Sequence, residues 1–148
     1  MRVTCASQDG YGFEREFCGI ASTEVDERLR SERARSFWVA VRKVMRCQCF
    51  LNWNPRKPST PLSECLFRRV ARGLKDPGDL RLFISVGTCL DVMGVDCFFE
   101  HKGQIVTIDL TVRPFKGGLR ANYLLSRLDF IGDHHYRLAD RMARRLSR

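Results

Sequence analysis

Two periodicities of apolar residues run along the chain. After Ser22-Thr23, Val25, Leu29, Ser36, Phe37, Ala40, Val41 and Val44 recur at helical spacing in "EVDERLRSERARSFWVAVRKVMRC". This predicts an amphipathic helix, opened by a capping box of Thr23 and Asp26. "NWNPRKPSTP", residues 52–61, carries three prolines within seven residues and is expected as a loop. A second helix is expected over 62–74, and "KDPGD" then turns the chain into a strand at 80–86, "LRLFISV". "GTCLDVMG" is expected as a glycine-bounded loop, followed by two alternating segments, "VDCFF" and "QIVTIDLTV", joined by "EHKG". "RANYLLS" supplies a further strand and "HHYRLADRMARRL" a closing basic helix. Residues 1–21 show no clear period and are expected as an irregular N-terminal arm ahead of a single domain over 22–148. The element order predicts an α/β fold, a small central mixed sheet flanked by helices.

The alternation places two carboxylates inside this sheet. Val106, Ile108, Leu110 and Val112 share one face of their strand, and Thr107, Asp109, Thr111 and Arg113 share the other. Lys102-Gly103 suits a two-residue hairpin turn, which pairs His101 with Gln104 and sets Asp96 directly opposite Asp109. Directly opposed side chains have Cβ atoms about 4.5–5.5 Å apart, where like charges repel. The pair is tolerable if one carboxyl is protonated, if a basic side chain intervenes, or if a divalent cation sits between them. Mg²⁺, or Mn²⁺, is the natural candidate, because it takes oxygen ligands and completes its shell with water and phosphate. The plain alternative is two unrelated aspartates, one capping "MGVD" through backbone amides.

Charge and composition narrow the partner. Over 148 residues the chain carries 26 Lys and Arg against 17 Asp and Glu, a net charge of +9, which favours a polyanion, nucleic acid before anionic membrane. Arg35 and Arg42 on the first helix, Arg113 and Arg120 around the last strand connection, and Arg141, Arg144 and Arg145 on the last helix are candidate phosphate contacts. A solvated face is the ordinary use of such runs. No apolar run approaches the roughly 20 residues of a membrane span, so a soluble, cytoplasmic protein without a membrane partner is expected. Seven cysteines without zinc-site spacing read as small buried thiols. Trp38 and Trp53 are expected to pack. Adjacent His134 and His135 diverge by about 100° and are expected at the surface. Asp91, five residues before Asp96, is a further candidate ligand, and is expected rather to hold its loop by bonding backbone amides.

"Gly94-Val95-Asp96", a hairpin, and then "Ile108-Asp109-Leu110-Thr111" resemble the core motif of the PD-(D/E)XK nuclease superfamily, the restriction-endonuclease-like fold. That pattern sets one Asp at the start of a strand and a D/E-x-K on the next. The resemblance implies Mg²⁺-dependent hydrolysis of phosphodiester bonds in DNA, with Asp96 and Asp109 holding the metal. It also implies an acid from the first helix, for which Glu32 in the inward stripe is the candidate. Thr111 stands where the motif lysine belongs, and would line the site. In this superfamily the lysine can come from another position, and Lys116 in "VRPFKGG" is the nearest candidate. The resemblance leaves room for a homodimer. The missing lysine supports a different class of function, a catalytically inactive module on this fold that binds nucleic acid or a partner protein.

Overall fold

The structure is a computed structural model that describes residues 6–19, 36–48, 52–111 and 121–148. Its centre is a mixed sheet of four strands in the order of the chain: β1 (Arg81–Ile84), β2 (Cys97–His101), β3 (Gln104–Thr111) and β4 (Tyr123–Ser126). β1, β2 and β3 form an antiparallel meander, and β4 runs parallel to β3. The described α-helices are α1 (Ala6–Cys18), α2 (Phe37–Cys47), α3 (Pro61–Arg72), a single turn α4 (Cys89–Val92) and α5 (His134–Leu146). The α/β class and the small mixed sheet are therefore as the sequence predicts.

The hairpin register follows from its turn. Lys102 and Gly103 both take positive φ, 50° and 88°, as a two-residue turn matching strand twist requires. His101 pairs with Gln104 and Cys97 with Ile108. Alternation then divides the sheet into two buried faces. Ile84, Cys97 and Ile108 pack under α1, α3 and α5, together with Phe13, Phe17, Leu66, Val70 and Met142. Phe83 and Phe98 lie on the other face, stacked with ring centroids 5.2 Å apart, under α2 and α4. A sheet covered on both faces leaves the polar side chains of β3 nowhere to meet bulk water, which is why Asp109 is buried.

Three expectations are corrected. Residues 6–18 are a helix whose Phe13, Phe17 and Cys18 enter the main core, so this part of the expected irregular arm belongs to the domain. Gly10, Gly12 and Asp9 obscure it in the sequence, being poor helix formers. The helix expected to run unbroken through residue 47 has a cap at Ser36, which is extended (φ −141°, ψ 161°) and accepts the Val39 N–H. Ser36 is thus no part of the inward stripe, while Ala40, Val41 and Val44 are. His135 is buried rather than at the surface, its ring stacked on Phe130 at 4.8 Å and its Nε2 3.5 Å from the Cys65 Sγ.

Candidate functional site

Asp96 stands where β1, β2 and β3 meet at one end of the sheet. Its carbonyl accepts the Ser85 N–H at 2.8 Å, and its own N–H donates to the Ile108 carbonyl at 2.9 Å. Ile108 already opposes Cys97, so two successive residues address one residue of β3, as in a β-bulge. The direct opposition expected for Asp96 and Asp109 is corrected by this step: the paired part of β2 begins at Cys97. The bulge turns the Asp96 carboxyl across the strand, where Oδ2 accepts the Leu110 N–H at 2.7 Å. A side chain thereby replaces the ladder partner that the bulge removes.

The loop before β2 adds a second carboxyl. Thr88 caps α4 by accepting the Leu90 N–H at 3.2 Å, and its hydroxyl donates to the Ser85 carbonyl at 2.6 Å. Gly87 takes φ 78° and donates its N–H to Asp91 Oδ2 at 2.7 Å. Asp91 does hold the loop as expected, and it also comes within hydrogen-bonding reach of Asp96. Asp109 reaches Asp96 in the same way from β3. Three aspartates from three segments therefore converge, and Asp96 and Asp109 are each only 4% exposed.

Burial above all, then the hydrogen bond and charge of Asp91 and then those of Asp109, push the Asp96 carboxyl well above the usual carboxylate range. The same charges act on the thiols beneath. Burial first, then Cys97, Asp96, Glu14 and Asp91, raise Cys18, and burial, Asp96 and Asp109 raise Cys97. Glu14 lies one turn before Cys18 on α1, and its charge adds to the rise of that thiol. The sequence signal for it was available in the Phe13, Phe17, Cys18 stripe that flanks it.

Of the other candidates, Thr111 ends β3 on the same face as Asp109, buried and in register with Ser126 of the parallel strand. Glu32, Lys116, Arg35, Arg113 and Arg120 lie outside the described residues. Arg42 is exposed on α2, and Arg141, Arg144 and Arg145 are exposed on α5. Trp53 packs as expected, its indole N–H donating to the Leu82 carbonyl at 2.8 Å. Trp38 does not pack: it is 55% exposed.

Oxygen-only donors in a buried, mutually repelling group fit a hard divalent cation. Asp96 and Asp91 each use Oδ2 to accept a backbone N–H. Among the described residues no three acidic, His or Cys side chains stand as a ready coordination shell; the carboxyls bond to one another instead. No described helix is long and apolar enough to cross a membrane. Comparison with known protein families, curated protein sequences and solved structures returns no match.

Proposed function

We propose that the chain is a divalent-metal-dependent nuclease that hydrolyses phosphodiester bonds in DNA, on a restriction-endonuclease-like fold. The observation that carries this reading is the convergence of Asp91, Asp96 and Asp109 around one buried point in a protein of net charge +9. Such a cluster needs either a proton or a cation to be stable, and a basic protein has no electrostatic need to keep it otherwise. Asp96 and Asp109 hold Mg²⁺ or Mn²⁺, Asp91 supports them from the loop, and Glu14 takes the place of the first-helix acid. Bound there, the cation supplies a Lewis acid for the phosphoryl oxygen and offsets charge that develops on it. Thr111 lines the site with a hydroxyl, which orients water but is no general base near neutral pH. The base or charge stabiliser belongs to another residue, for which Lys116 remains the candidate.

The deciding experiment is cleavage of single- and double-stranded DNA with Mg²⁺ or Mn²⁺ by the wild type and by Asp109→Asn. Asparagine keeps the shape and one carbonyl oxygen but loses the charge that holds a hard cation. Expected is loss of cleavage, with the fold and DNA binding retained. A wild type that cuts nothing, or an Asp109→Asn variant of full activity, overturns the reading. The absence of lysine at Thr111 and the burial of both β-sheet aspartates favour one rival, an inactive module that binds nucleic acid. Binding without cleavage by the wild type selects it.

A further inference from the structure

Trp38 lies on α2 with Phe37 edge-on beside it, ring centroids 5.1 Å apart. It is exposed, and it forms one wall of a cleft of about 340 Å³. Phe37, Ile105, Thr107, Asn122 and Arg145 complete the described lining. Two of these are locked together: Thr107 N–H donates to Asn122 Oδ1 at 3.0 Å, and Asn122 N–H donates to Thr107 Oγ1 at 2.8 Å. The first of these bonds identifies the oxygen end of the Asn122 side chain and leaves its amide NH₂ as the donor. Thr107 also fixes where the cleft lies. It precedes Asp109 by two residues on β3, so both side chains stand on the same face, about 7 Å apart along the strand.

An exposed indole, a neutral amide donor and an arginine around one cleft match the parts of a nucleotide. The indole takes the π-face of a base, the amide takes an acceptor on its edge, and the guanidinium takes phosphate. A base inside a duplex offers no open face for stacking, because its neighbours cover both. We propose that the cleft takes one unpaired base of a single strand of nucleic acid, stacked on Trp38. This deepens the nuclease reading and rests on it for the substrate class: the strand that enters is unpaired beside the phosphate nearest Asp109. Arg145 at the cleft and the exposed Arg141 one turn before it on α5 give the strand's phosphates an approach.

Binding is measured in EDTA, where no cleavage occurs, by tryptophan fluorescence with a short oligothymidylate and with a DNA hairpin of equal length. Buried Trp53 supplies a constant background. Expected is quenching by the oligothymidylate and little by the hairpin. Trp38→Ala removes that quenching and weakens single-strand affinity about fivefold or more, and Trp38→Tyr restores most of the affinity. Quenching in the wild type reads the contact whether or not a variant folds. Equal quenching by hairpin and single strand, no quenching by either, or unchanged affinity in a folded Trp38→Ala variant overturns the cleft assignment. These outcomes are independent of the nuclease test. Single-strand binding through Trp38 without Mg²⁺-dependent cleavage leaves the cleft and removes the nuclease. Cleavage lost in Asp109→Asn alongside unchanged single-strand affinity in Trp38→Ala does the reverse.

Discussion

At Asp96 a carboxyl that accepts a main-chain N–H is also pressed against two others. Burial and those neighbours raise its folded pKa, whereas in the unfolded chain it titrates near 3.9. Its protonated form therefore favours the fold. That contribution is complete below about pH 4 and is lost as pH rises toward and through the raised folded value. Asn at this position keeps an oxygen for the Leu110 N–H and removes the ionisation. In EDTA, Asp96→Asn is expected to match the wild type near pH 4 and to exceed it at neutral pH by about 1–3 kcal/mol, the scale of a buried polar group without compensation. Urea unfolding across that pH range checks it. A gap that shrinks as pH rises contradicts the sign of the shift.

Between elements, the end of α3 comes close to α5 at Gly73. A Cβ added to Gly73, just past α3, would lie 2.6 Å from the Ala143 Cβ. The backbone there is ordinary (φ −85°), so contact alone excludes a side chain. Gly73→Ala is expected to cost about 1–3 kcal/mol by overpacking. Ala143→Gly should return part of it, and a double-mutant cycle without coupling would disprove the contact. This pair is invisible in the sequence, because periodicity reports which face is buried but not how near two helices come. The hairpin, by contrast, was legible down to its register, since the Lys102-Gly103 turn and strict alternation leave one solution. The bulge at Asp96 was not legible, because it depends on contacts distant in sequence: Ser85 donates to the Asp96 carbonyl and Leu110 to its carboxyl. The helix holding Glu14 was hidden by its glycines, and its stripe of Phe13, Phe17 and Cys18 outweighs them only when a sheet is there to receive it. Trp38 is the reverse case: it was expected to pack, but it is 55% exposed on α2 while Ala40, Val41 and Val44 are buried.

Over the whole molecule, α5 ties the core to the charged surface. Leu138, Ala139, Met142, Ala143 and Leu146 form its buried side, while Arg137, Arg141, Arg144, Arg145 and Arg148 are exposed. Arg141 and Arg145 stand at i and i+4, a spacing at which like charges cost roughly 0.2–0.5 kcal/mol in an isolated helix. A polyanion removes that cost, so binding to nucleic acid should be driven chiefly by counterion release. For a single strand, log K is expected to fall linearly with log of salt concentration, with a slope of about −0.7 for each phosphate neutralised. Arg141→Ala with Arg144→Ala should then flatten the slope by about 1.4, provided each arginine meets one phosphate. Both side chains are exposed, so the fold should be unaffected. Trp38→Ala, in contrast, should lower affinity at every salt concentration without changing the slope, since stacking releases no counterions. Titrations at several salt concentrations, with both variants and the wild type, separate the two contributions. An unchanged slope in the double variant removes α5 from the binding surface, and a flat slope in the wild type removes nucleic acid as the partner.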